Sequence, residues 1–169
     1  MIEYTVKVTD EKTEWYFEGK RHRLDGPAIE DSDGTKEWWV EGKCHRTDGP
    51  AIEWADGFKS WLVEGKRHRL DGPAIECANG RKEWWVEGNL HRTDGPAIER
   101  SNGHKAWCVE GELHRLDGPA VECANGDKEW WVEGKELSEA EFNRLDKVKE
   151  LSVGEIEKLL GYPVKVVKE

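Results

Sequence analysis

Along most of the chain, apolar and polar residues alternate in short runs, and each run is cut off by glycine. The stretch KEWWVEGKCHRTDGPAIEWADG at 36–57 holds the whole motif, and close variants follow it. Alternation with a period of two is the mark of strands with one buried face. The motif also recurs at a longer period. Trp15, Trp38, Trp61, Trp84, Trp107 and Trp130 are each 23 residues apart, as are His22, His45, His68, His91 and His114. Glu-Gly pairs keep the same step from Glu18 to Glu133. A fixed period of this length predicts an array of one supersecondary unit, in which no hairpin buries its tryptophan alone and stacking makes the core.

Turn residues predict the unit. Asp33-Gly34, Asp56-Gly57, Asn79-Gly80, Asn102-Gly103 and Asn125-Gly126 stand between strand-like runs and suit type I′ turns, whose two central residues need positive φ. A two-residue turn at Asn79-Gly80 sets Ile75 opposite Trp84 and Cys77 opposite Lys82. A three-residue loop would instead pair Glu76 with Lys82, removing the unfavourable apposition of Glu76 and Glu83. Further bends are expected at Glu87-Gly88 and at Asp94-Gly95-Pro96, where the proline cannot donate to a ladder. Each repeat is then a hairpin plus a returning segment. With two strands per repeat, the array advances about 10 Å per repeat and reaches roughly 50 Å.

The ends depart from the motif. IEYTVKV and TEWYF flank Asp10-Glu11 as a first hairpin with no preceding HRxDGPA. After the last WWVEGK, Leu137 takes the slot of the next histidine, and Ser138-Glu139-Ala140-Glu141 reads as a capping box opening a helix to about Leu151. A second short helix from Ser152 to before Gly161 and a strand-like VKVV are expected beyond it. The fold class is therefore mainly β: an elongated, single-layer antiparallel hairpin array over 1–137, closed by a C-terminal cap over 138–169 that covers the last open edge.

Charged residues make up 37% of the chain and apolar ones 36%, but ten tryptophans argue for order around a narrow core. The net charge is −10, and the repeats through Leu137 hold 29 acids against 20 bases. That sign disfavours nucleic acid and anionic lipid and is compatible with a basic protein partner. With no 18-residue apolar run and no leader pattern, the expectation is a soluble cytoplasmic protein. Cys44, Cys77, Cys108 and Cys123 form no CxxC pair and read as reduced thiols in small strand positions.

His, Arg and Asp within four residues suggest an active site, but five copies in register argue for architecture. A catalytic site is needed once and is assembled from different parts of a fold. Asp48 can bond its own backbone two residues on, and Arg46 can pair with that aspartate or a neighbouring glutamate. Equivalent histidines about 10 Å apart cannot share one metal ion, so no metal or cofactor is expected. Recognition belongs where the copies differ. The slot after the period tryptophan reads Tyr16, Trp39, Leu62, Trp85, Cys108, Trp131, and Trp54 and Phe58 flank one turn. Trp39, Trp54, Phe58, Trp85 and Trp131 are therefore the candidate partner-binding residues. A second candidate set, His45, Arg46, His68, Arg69, His91 and Arg92, would bind an anionic small ligand or nucleotide at several equivalent sites.

In Trp39-Val40-Glu41-Gly42-Lys43, His45, Asp56-Gly57 and their copies, residues 5–137 resemble the MORN repeat family and its looser relatives in phage-encoded and bacterial antitoxin-like proteins. Arg46 and Asp48 stand where MORN glycines are usual, and Thr35 and Glu37 replace an aromatic-x-Gly. The tail LSVGEIEKLLGYPVKVVKE also looks like the ends of some small phage proteins. The resemblance implies an elongated scaffold or binding surface and no particular ligand. From it follows the expectation of a non-catalytic phage or bacterial accessory protein that sequesters or inhibits a host factor. The alternatives are the anionic-ligand sponge and a structural scaffold or antitoxin-like immunity protein.

Overall fold

A computed structural model of the chain describes residues 3–149. It is mainly β, with twenty-two short strands and, among the described residues, a single helix. The main sheet has fourteen strands whose order follows the chain and whose neighbours are antiparallel, so the array is open rather than a closed barrel. β1 (Thr5–Val8) and β2 (Lys12–Phe17) form the first hairpin, with Thr5 opposite Tyr16 and Val8 opposite Thr13. Each repeat then contributes two strands, of two or three residues except for Lys128–Val132, for example Ile75–Glu76 and Lys82–Glu83.

The loop between those two strands differs from the type I′ expectation. Ile75 faces Glu83 and Glu76 faces Lys82, so the pairing of Ile75 with Trp84 does not occur. Gly80 donates its N–H to the Cys77 carbonyl at 2.9 Å, Cys77 donates to the Arg81 carbonyl, and Asn79 Oδ1 accepts from the Arg81 N–H at 3.0 Å. Only Gly80 has positive φ, +84°. This is a three-residue loop in which a turn is followed by a left-handed glycine. It relieves the Glu76–Glu83 apposition and pairs opposite charges instead.

The type I′ turn lies at Glu-Gly. Val86 pairs with Asn89 across Glu87 and Gly88, whose φ values are +50° and +87°. All six Glu-Gly pairs share this left-handed geometry, which is unfavourable for a residue with a Cβ. After leaving the main sheet at the period tryptophan, the chain makes this small hairpin and returns through HRxDGPA. Successive hairpins are joined by backbone bonds, such as Gly65 N–H to the Cys44 carbonyl and Arg46 N–H to the Leu62 carbonyl, at 2.9 and 3.0 Å.

The fully buried column is made of alanines, not tryptophans. Ala28, Ala51, Ala74, Ala97 and Ala120 are each 0% exposed. Each sits between two chains: Ala51 donates to the Ser60 carbonyl and accepts from the Trp38 N–H, both at 2.8 Å. Ile29, Ile75, Val121, Cys44 and Cys108 complete a narrow core. A methyl group is what this close approach accommodates, since any larger side chain would push strands apart.

At the C-terminal end, Lys128–Val132 pairs with Lys135–Leu137. The capping box forms as expected: Ser138 Oγ accepts from the Glu141 N–H at 3.3 Å, and Glu141 Oε2 accepts from the Ser138 N–H at 2.8 Å. The helix α1 (Glu139–Lys149) packs against that last hairpin with Phe142 buried. The expected second helix and VKVV strand lie outside the described residues.

Candidate functional site

The repeated His-Arg-x-Asp is a framework unit. In each of the five copies the arginine sits over its own repeat's tryptophan, with Arg46 4.0 Å from the Trp38 ring centre and Arg92 3.9 Å from Trp84. Arg46 Nε donates to Asp48 at 2.9 Å, and Nη1 donates to the Pro50 carbonyl and to Glu53, each at 3.2 Å. Arg23, Arg69, Arg92 and Arg115 make the same three bonds. The glycine after each aspartate is closely covered by the arginine: a Cβ on Gly49 would lie 2.9 Å from the Arg46 guanidinium carbon. The bond from arginine holds the carboxyls of Asp25, Asp48, Asp71, Asp94 and Asp117 below their ordinary range, so they stay ionised.

Each histidine supports the next repeat. His68 Nδ1 accepts from the Glu87 N–H at 3.2 Å, and His22, His45, His91 and His114 do the same for Glu41, Glu64, Glu110 and Glu133. Thus the candidate anionic-ligand residues His45, Arg46, His68, Arg69, His91 and Arg92 are brought together in pairs across repeats, but their directed bonds serve the scaffold. Among the described residues, no group of three or more His, Cys, Asp or Glu side chains is arranged to hold a metal ion.

Of the candidate partner-binding residues, Trp39, Trp85 and Trp131 are half-buried. Their indole N–H groups donate to Glu37, Glu83 and Glu129 at 2.8, 2.9 and 3.0 Å. Arg21 and Arg67 lie over Trp39 and Trp85. Glu83 itself is buried and also pairs with Arg81. Where the tryptophan slot holds Leu62 or Cys108, the glutamate slot holds Ser60 or Ala106, both buried. Acceptor and donor therefore vary together, as a half-buried indole N–H requires. Trp54 and Phe58 are different: their ring centres lie 4.4 Å apart, tilted by 36°, across the Asp56-Gly57 turn, and Trp54 is 47% exposed.

Sequence reasoning missed a third feature. Between consecutive HRxDGP loops lie four grooves of 530–560 Å³, alike in their lining. One of them is lined by Asp48, Pro50, Trp61, Val63, His68 and Leu70, among others. The variable residue of H-R-x-D-G stands at each groove: Leu24, Thr47, Leu70, Thr93 and Leu116, with the leucines 63%, 80% and 46% exposed. The signal was in the sequence as an alternation of Leu and Thr within an otherwise repeated loop.

No family model matches the chain, and no curated protein matches it in sequence. The framework and its exposed exceptions are the basis for a functional reading. Among the described residues, no helix is long and apolar enough to cross a membrane.

Proposed function

We propose that the array is a non-catalytic binding protein that engages a host protein and sequesters or inhibits it. The observation that carries this reading is the division of labour between shared and variable positions. The repeated histidines, arginines and aspartates are bonded into the framework, whereas Leu24, Trp54, Leu70 and Leu116, which break the repeat, are exposed apolar side chains. The paired aromatic rings of Trp54 and Phe58, with Trp54 47% exposed, are the apolar surface that best supports a protein contact. The anionic-ligand reading has less support, because Arg46 Nε and Nη1 already hold Asp48, the Pro50 carbonyl and Glu53.

The test is affinity capture from the native host, repeated with Trp54→Ser/Phe58→Ser and with Leu70→Ser. A stoichiometric partner that is retained by the wild type and lost from a surface variant of unchanged thermal stability supports protein binding. Several equal sites for one anionic metabolite in calorimetry, with no protein captured, would overturn it.

A further inference from the structure

One end of the main sheet is a row of turns that is graded in charge. The row begins with the turn at 9–12 and continues through Asp33-Gly34, Asp56-Gly57, Asn79-Gly80 and Asn102-Gly103. Neighbouring turns are bonded to each other: Ser32 donates its N–H to the Glu11 carbonyl at 2.6 Å, and Ala55 donates to Thr35 Oγ at 3.3 Å. The first two turns carry Asp10, Glu11, Asp31 and Asp33, the third carries Trp54 and Phe58, and the next two carry Arg81, Arg100 and His104. Acid, aromatic and base follow one another along the row.

Most of these charges have no partner of their own. Among the described residues, Asp10, Glu11, Asp31, Asp33 and Arg100 take part in no ion pair, unlike the arginines and aspartates of HRxDG. Arg81 is bonded to the buried Glu83 and keeps 45% of its side chain exposed. A surface with opposite charges on the two sides of an apolar centre is complementary to its own copy turned by 180°. Turned about Asp56-Gly57, the row sets Asp10 and Glu11 against Arg100 and His104, and Asp31 and Asp33 against Arg81. The aromatic pair then meets its counterpart at the centre, giving an apolar core with a charged rim. The parallel arrangement would instead set each acidic turn on its twin.

We propose that this row of turns is a twofold dimer interface and that its occupant is a second copy of the chain. The dimer goes beyond the host-protein reading and does not rest on it, and it leaves Leu24, Leu70 and Leu116 unused. Asp56 is the like charge that the axis brings near its own copy. Its Oδ1 accepts from the Phe58 N–H at 2.9 Å, the bond that Asn79 makes to the Arg81 N–H in the next repeat. Asp56→Asn therefore keeps the turn and removes a repulsion.

Sedimentation equilibrium of the purified chain tests it. The wild type should dimerise in the micromolar range and about ten-fold more weakly at about 0.5 M salt than at about 0.05 M. Trp54→Ser/Phe58→Ser should be monomeric at about 100 μM with an unchanged melting temperature, and Asp56→Asn should dimerise more tightly than the wild type. Glu11→Arg and Arg100→Glu should each weaken self-association about ten-fold, yet an equimolar mixture of the two should dimerise as tightly as the wild type, because every acidic turn then meets a basic one. A wild type monomeric at about 100 μM, a dimer indifferent to Trp54→Ser/Phe58→Ser, or a mixture no tighter than its components overturns the proposal. A host protein captured through Trp54 and Phe58 by a chain that stays monomeric also overturns it, while leaving the host-protein reading standing. A dimer with these charge preferences that captures no host protein supports the interface and removes that reading.

Discussion

His45 Nδ1 accepts a hydrogen bond of 3.2 Å from the backbone N–H of Glu64, nineteen residues further on, where φ is +51°. The imidazole of one repeat thereby supports a left-handed glutamate in the next. Replacing a mid-array copy, His68→Ala, removes this acceptor from the Glu87 N–H and is expected to cost about 1 kcal/mol in urea unfolding. An unchanged midpoint would show that the bond is incidental.

The same turn can be improved. Glu87 has φ of +50°, and asparagine tolerates the left-handed region better than glutamate does. Glu87→Asn keeps the N–H that His68 accepts and is expected to raise stability by about 0.5 kcal/mol, visible as a higher melting temperature.

Gly49 and Arg46 are coupled by contact rather than by backbone strain, since a Cβ at Gly49 would meet the guanidinium at 2.9 Å. Gly49→Ala should displace Arg46 from Trp38 and break its three bonds, at a cost of about 1–3 kcal/mol. Once Arg46→Ala is in place, Gly49→Ala should cost far less. Additive effects in the double-mutant cycle would rule out displacement as the cause.

Trp85 and Glu83 form another coupled pair. Trp85→Leu strips Glu83 of its indole donor and is expected to destabilise by about 2 kcal/mol. Adding Glu83→Ser reproduces the Ser60/Leu62 arrangement of the preceding repeat and should recover much of the loss.

Acid should loosen the framework through its aspartates. Their folded pKa values lie below the ordinary value because arginine bonds to the charged form. The folded state therefore binds fewer protons than the unfolded state, and the contribution is complete above the ordinary aspartate pKa of about 3.9. It is lost as pH falls through the lower, folded values. The urea midpoint should decline from about pH 4 downward, with a shallower decline for Asp48→Asn/Asp71→Asn.

The period, the hairpins, the altered ends and the capping box were legible because each rests on local chemistry: alternation, glycine and Ser-x-x-Glu. The choice of turn was not. Asn79-Gly80 carries the usual type I′ signal, yet Glu87-Gly88 makes that turn, and an imidazole 19 residues earlier accepts its N–H. That support is invisible to a local reading. The alanine column was overlooked for a related reason: Ala51 contributes by being small between two chains, and size at a crossing is a tertiary property. The partnership of Trp85 with Glu83 was present in the sequence as paired exceptions, but it needed the i, i+2 geometry to be recognised.

The imidazole supports run in one direction along the chain. Each of Glu41, Glu64, Glu87, Glu110 and Glu133 leans on a histidine that precedes it. As the polypeptide leaves the ribosome, each of these five turns meets an acceptor that has already been synthesised. The molecule can therefore consolidate in the order of its translation, one module after another, without waiting for its far end.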